Sequence, residues 1–407
     1  MTVTFPERFC LIKPSRRIDW LVCTLYAVAL MEFVPQLSGW TALFGLCVGG
    51  LAASWILRPQ KPEGTPIFHL ALVTFLMYAT ASAIWALVGG VKPGDWIQGI
   101  FPFLFLGLWL ILGKSEHGEA ERLTRAVLVA SVLWLLKIIV LAGWAAVQGE
   151  PVWNTRLTLI VADAVLPFPL VVIPLLFFGP VPTSRRLSFG LSLLFLGIVL
   201  WTGYRSQILI VGALFIFKSL ADLKKLKVGN TLVILMAIIV FSTVLTSEYS
   251  FLEGLRSRFQ GLSNEQESSR VLEWRYAISQ LESSLLIGKG MGWQVPSEIT
   301  FKGIEVPEGF IVPESVGYVH NFIAYFLMTL GILGLVFYAV LQLLPWIVGS
   351  KTSWARIAIT VLFVFCLVEA TFRLVQFNIL LLVLWRIMFA SKVRLSRNVA
   401  ITEMSGT

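Results

Sequence analysis

Residues 317–348 read GYVHNFIAYFLMTLGILGLVFYAVLQLLPWIV, 32 positions without one Asp, Glu, Lys or Arg. About 20 apolar residues are enough to cross the hydrocarbon of a bilayer. The stretch therefore reads as a spanning helix, long enough to be tilted, kinked or partly outside the membrane. The rest of the chain is of the same kind. Of its 407 residues 57% are hydrophobic and 14% charged, with a mean hydropathy of +0.83. An ordinary soluble domain carries roughly 25% charged residues. Further apolar runs lie near 18–37, 39–57, 66–88, 97–113, 123–147, 156–180, 186–202, 206–221, 228–247, 354–372 and 374–390. With 317–348 they predict an all-α integral membrane protein of about 12 transmembrane helices. The first run has no small-residue cleavage site and continues into more spans, so it reads as an anchor and not a cleavable leader.

The connections between runs alternate in charge. Arg16 and Arg17, Arg58 and Lys61, Arg122 and Arg125, Arg185 and Arg186, Lys224 and Lys225, Lys351 and Arg356, and Lys392 and Arg394 fall in one set. The other set is nearly bare: Trp40, Lys92 with Asp95, Glu150 with Arg156, Arg205 alone, and Glu369 with Arg373. The positive-inside rule places the first set, with both termini, in the cytoplasm. The net charge of +9 is thereby explained by membrane orientation, and no nucleic-acid groove is read from it. Cys10, Cys23, Cys47 and Cys366 are scattered without a CxxC pair, so neither a disulfide nor a metal cluster is expected.

One connection is long. Residues 248–316 form a loop on the outer face, and long loops inside compact proteins are usually functional. The expected organisation is 1–247 with helices 1–9, 248–316 as the outer loop, and 317–407 with helices 10–12 and a cytoplasmic tail. Val271, Trp274, Ile278, Leu281 and Leu285 recur at helical spacing, predicting an amphipathic helix across the outer mouth of the bundle. Ser263 and Asn264 are candidate caps, and Gly288 a candidate stop. Ile287–Gly292 (IGKGMG) is a glycine-rich turn, and no strand precedes it as a dinucleotide fingerprint requires.

Polar residues that the membrane does not explain are few. His320 is the one histidine on the outer side; His69 and His117 belong to the cytoplasmic side. Arg205 stands in a tight outer turn, Gly203-Tyr204-Arg205-Ser206. Arginine offers a fixed fork of donors suited to phosphate oxygens. Arg270 and Arg275 flank Trp274 on the predicted loop helix, with Arg270 one position ahead of its apolar stripe. Some of the loop arginines are expected to be ion-paired and structural, because the loop holds ten Glu against four Arg and two Lys. Lys137 and Asp163 fall at similar depths and read as a structural pair. The four aspartates form no DxD pair, and no HExxH, P-loop or Ser-His-Asp pattern occurs. Metal-dependent chemistry is therefore not expected, although Glu265 and Glu267 keep it open.

His320-Asn321, nine residues, then Gly331-Ile332-Leu333-Gly334 resembles the signature of the O-antigen ligase and polymerase superfamily. Ser269-Arg270, Trp274, Gly288 and Gly290 resemble that family's loop, and Arg205 matches a position where the family carries a functional arginine. The resemblance covers the architecture and is motif-specific for roughly 200 to 340. Within the superfamily the chain looks most like O-antigen ligase, since it lacks the polymerases' arginine-x10-glycine repeats. It also lacks the long C-terminal extension of the protein-glycosylating members.

The resemblance implies an architecture like that of the large GT-C membrane glycosyltransferases, placed in the bacterial inner membrane with its active site facing the periplasm. It also implies metal-free transfer of a glycan from undecaprenyl diphosphate to the lipid A–core, without a cofactor. On that reading Arg205 and Arg270 stabilise the diphosphate, and His320 orients or deprotonates the acceptor hydroxyl, with a loop glutamate as its rival. Arg156, Tyr204, Arg275 and Asn321 are the candidate substrate-binding residues. The polymerase is the nearest alternative, a lipid-linked-glycan flippase a more distant one, and a structural scaffold a weak third.

Overall fold

The computed structural model describes residues 16–30, 39–57, 64–115, 118–147, 167–180, 185–202, 205–223, 269–281, 284–300, 314–317, 319–350, 354–367 and 369–405. The predicted run at 228–247, the candidate caps Ser263 and Asn264, and Glu265, Glu267, Asp163 and His117 lie outside them. In chain order the helices are α1 (Arg16–Leu30), α2 (Gly39–Leu57), α3 (Pro66–Val88), α4 (Pro93–Leu104), α5 (Glu119–Val147), α6 (Pro167–Phe178), α7 (Arg185–Thr202) and α8 (Arg205–Leu223). There follow α9 (Ser269–Leu281), the short α10 (Ser297–Thr300), α11 (Phe322–Val348), α12 (Trp354–Cys366) and α13 (Val375–Ser405). Two-residue strands β1 (Val295–Pro296) and β2 (Ser315–Val316) pair antiparallel, Val295 opposite Val316. The described residues are mostly helical, 84%, with a membrane protein's helix composition.

Among the described residues four helical segments are long and apolar enough to cross a bilayer: Pro66–Val88, Pro93–Ile111, Glu119–Val140 and Phe322–Val348. Helix α3 shows how they are built. Thr65 caps it by accepting from the Phe68 amide at 3.3 Å, and Pro66 occupies the first turn, where its missing N–H costs nothing. Phe68, Leu72, Phe75, Ala79 and Ala86 point into the protein. Ile67, Leu70, Met77, Ile84 and Val88 point out, so the outward face is as apolar as the inward one. A helix apolar all round belongs in a core or in lipid. In α4, Pro102 sits inside the helix, and the chain passes into a 3-10 turn over Phe105–Ile111.

Helix α13 is the centre of the bundle, with every residue from 376 to 390 buried. Around it Phe68, Trp109, Trp385 and Phe389 meet edge-on or tilted at 5.2–6.4 Å. A second aromatic cluster joins Phe75 and Phe103 to Phe326 and Tyr338 of α11. Arg386 is fully buried in α13; its guanidinium pairs with the buried Glu119 carboxylate and donates to the Gly113 carbonyl at 2.7 Å. Breaking a buried pair from one side leaves an uncompensated charge and costs about 3–5 kcal/mol. Arg386→Ala is therefore expected to lower thermal stability sharply. The double change with Glu119→Ala should recover part of the loss, and the two melting temperatures measure it.

Two sequence expectations change at the loop. Helix α11 starts at Phe322, not 317, because Asn321 caps it. Helix α9 ends at Leu281, and Gly288 (φ +70°) instead closes the turn that follows.

Candidate active site

Four pieces of chain meet at the loop end of the bundle: α9, the glycine turn 284–292, the start of α11, and the 367–373 segment before α13. Glu273 and Ala277, one turn apart, form the buried face of α9, each about 2% exposed or less. The Glu273 carboxylate holds His320 at two points. One oxygen accepts the His320 backbone N–H at 2.9 Å, and the other lies 2.7 Å from Nδ1. With the Glu273 carboxylate ionised, a hydrogen bond that short places the proton of the neutral ring on Nδ1. The lone pair then resides on Nε2, in the tautomer that can take a proton. The same carboxylate would balance the charge of an imidazolium if the ring took a proton. The His320 side chain is 16% exposed, whereas Glu273 is sealed beneath it.

Asn321 fixes the next position. Its Oδ1 accepts from the amides of Ile323 and Ala324, at 2.8 and 3.1 Å, and its Nδ2 donates to the Leu367 carbonyl. Two residues on, Glu369 accepts from Ser206 Oγ at 3.3 Å. Ser206 lies in the first turn of α8, next to Arg205. This chain of contacts ties the start of α8 to the histidine. Close by, the Arg373 guanidinium lies 5.5 Å from the Tyr325 ring centroid, and one of its nitrogens borders Gly317.

The glycine turn is wedged into α11. Gly331 (φ 66°, ψ −167°) interrupts that helix in a conformation open only to glycine. The break releases carbonyls above it and amides below it. Lys289 and Gly290 donate to the carbonyls of Met328 and Thr329 at 2.8 and 2.7 Å. The amides of Ile332 and Leu333 donate to Leu285 and Leu286 at 3.0 and 3.3 Å. The Tyr78 hydroxyl takes the Leu330 carbonyl at 3.0 Å. Backbone groups that the break would orphan are thus re-satisfied. A Cβ at Gly331 would overlap the Leu286 carbonyl, and one at Gly288 would come within 2.6 Å of the Gly331 nitrogen. The two glycine motifs singled out in the sequence are halves of one joint.

The predicted site residues are distributed as follows. His320 and Asn321 stand together, on Glu273 and Leu367. Arg270 and Arg205 each belong to the first turn of a helix, α9 and α8; the placement of their side chains lies outside the described residues, as do Arg156 and Tyr204 entirely. Arg275 is exposed, on the side of α9 away from Glu273. The expected apolar stripe is corrected as well. Val271 (43% exposed) and Ile278 (55%) face away from the protein, Trp274 is half-buried against the core, and Glu273 and Ala277 form the buried face. An apolar stripe marks a face that avoids water without saying whether protein or lipid covers it.

Glu273, Glu369 and Arg373 were not among the predicted site residues. Glu273 is one of ten glutamates in the loop, and no local signal in the sequence singles it out.

No curated protein matches the chain. Residues 190–339, from α7 through the Gly331–Gly334 step and including Arg205, Arg270, Glu273 and His320, match the family model described as O-antigen ligase. Over those 150 of its 407 residues the chain is similar to the O-antigen ligase family.

Proposed function

We propose that the chain is an O-antigen ligase: a metal-independent, inverting glycosyltransferase that moves O-antigen polysaccharide from undecaprenyl diphosphate to the lipid A–core on the periplasmic face. The observation that carries this reading is the His320–Glu273 pair, a base with a fixed tautomer at the membrane end of a bundle matching a ligase family. The acceptor hydroxyl gives its proton to His320 Nε2 as its oxygen bonds to the anomeric carbon. The bond from that carbon to the diphosphate oxygen breaks, and the electron pair leaves with undecaprenyl diphosphate. Glu273 balances the imidazolium. Arg205 and Arg270 neutralise the charge gathering on the diphosphate, where preorganised donors matter most. Arg156, Tyr204 and Arg275 bind the substrates, and Asn321 holds His320 in position. About 12 spans of GT-C-like arrangement, both termini cytoplasmic, in the inner membrane, complete the reading.

The test is transfer by purified protein from lipid-linked glycan to rough lipopolysaccharide without added metal. Capped product is expected from the wild type. Arg205→Ala and Arg270→Ala should each lose about 10²–10³-fold in turnover while inserting normally. Full turnover by both, or activity abolished by chelator and restored by a divalent ion, overturns the scheme. The polymerase is the second reading, favoured by the same family match. A deletion strain separates them, with bare core and accumulated lipid-linked polymer for a ligase and a single repeat on the core for a polymerase.

A further inference from the structure

We propose that the outward face of α9 and the turn that follows it are a lipid-contact surface, resting on the acyl chains of the bilayer leaflet at the loop end. Val271 and Ile278, seven residues apart, share one helical face, and both are exposed in the folded protein. Leu285, Leu286 and Ile287 continue directly as three exposed apolar residues (49%, 61% and 41%). A segment outside the membrane has no reason to turn five large aliphatic side chains toward water, whereas an interfacial amphipathic helix does so toward lipid.

Continuity with the spanning surface identifies the occupant. The carbonyls of Leu285 and Leu286 accept from the amides of Ile332 and Leu333, so the turn lies side by side with α11. Ile332, Leu333 and Val336 are themselves exposed on that spanning helix. The lipid-facing strip of α11 therefore runs without interruption into the turn. Depth agrees. Below the Gly331 break α11 runs from Ile332 to Val348, 17 residues or about 25 Å at 1.5 Å per residue, against roughly 30 Å of hydrocarbon. With Val348 at one boundary, the other falls about 20 residues back, near Thr329, within one turn of the Gly331 break. The turn thus sits at the hydrocarbon edge, with Lys289 stacked on Trp293 at 5.7 Å, a cation and an indole of the kind that anchor interfaces. The opposite face of α9 carries Glu273 to His320, so lipid contact and site assembly use the two sides of one helix.

This inference is independent of the glycosyl-transfer reading, and its test needs no substrate. The full-length protein, one copy per phosphatidylethanolamine/phosphatidylglycerol nanodisc, is labelled in parallel with a phospholipid bearing a diazirine on its acyl chain and with hydroxyl radicals from the water phase. Peptide mass spectrometry then locates the adducts. Acyl-chain label on Val271, Ile278 and Leu285–Ile287 comparable to that on Ile332–Val336 is expected, with protection from radicals. The buried Ala277 and Met291 report background for both reagents. Radical oxidation of these residues with background lipid label would place the surface in water and overturn the proposal. Protection from both reagents would mean that protein covers it, and overturns the proposal equally.

Discussion

Glu273→Gln is expected to reduce glycosyl transfer by about 10²–10⁴-fold, the range a positioned general base contributes, with protein level and folding unchanged. The carboxylate offers one oxygen to the His320 amide and another to Nδ1. Glutamine offers one oxygen only. If that oxygen keeps the backbone amide, its NH₂ faces Nδ1 and drives the ring proton to Nε2, leaving nothing there to take the acceptor's proton. The reverse flip sets NH₂ against the His320 N–H. Either way the imidazolium loses its counter-charge. The loss should appear in kcat with KM nearly unchanged, since Glu273 is sealed beneath the histidine. His320→Asn is the companion change. Asparagine can donate to Glu273 much as Nδ1 does, sparing the buried carboxylate an unpaired state that costs 1–3 kcal/mol or more, yet it carries no proton acceptor in the place of Nε2. Transfer assays on the two purified variants check the pair. Wild-type turnover by Glu273→Gln would remove the dyad from the mechanism.

The sequence showed the candidate histidine but not the carboxylate that holds it, for a physical reason. His320 stands out as a lone titratable group beside an apolar run, and hydropathy makes such residues visible. Glu273 lies 47 residues earlier, one of ten glutamates in an acidic loop. Nothing local tells a carboxylate that will be buried from nine others. The apolar stripe of the loop helix was legible as a stripe, and its spacing is what formed α9. Its orientation was not, because Val271 and Ile278 satisfy the same period whether their partner is a bundle or a bilayer. Spanning helices such as α3 and α11 were readable for the opposite reason, as lipid makes a helix apolar on every side. Both glycine motifs were visible too, IGKGMG as a turn and Gly331–Gly334 as a signature. Their joint was not, since four backbone hydrogen bonds between segments some 40 residues apart leave no trace in side-chain pattern.

That joint carries the second large effect. Gly331→Ala is expected to leave little folded protein, because neither way of accommodating the methyl group is cheap. With the break kept, alanine occupies a φ, ψ region costing about 1–3 kcal/mol, and its Cβ overlaps the Leu286 carbonyl. If α11 straightens instead, the turn is expelled and four hydrogen bonds at 2.7–3.3 Å are lost. At about 0.5–1.5 kcal/mol net for each, that is about 2–6 kcal/mol, before the expelled turn loses its apolar contacts. Marginal stability of about 5–15 kcal/mol absorbs such a loss poorly. Gly212→Ala on α8 is the control, since a Cβ there meets nothing within 4 Å. Thermal unfolding in detergent and the monodisperse yield on size exclusion should separate the two variants widely. The turn also follows α9 directly, so its expulsion withdraws Glu273 from His320. Any Gly331→Ala protein that does fold should then resemble Glu273→Gln in turnover. A Gly331→Ala protein with wild-type melting temperature and wild-type transfer would show that the wedge is dispensable to both fold and site.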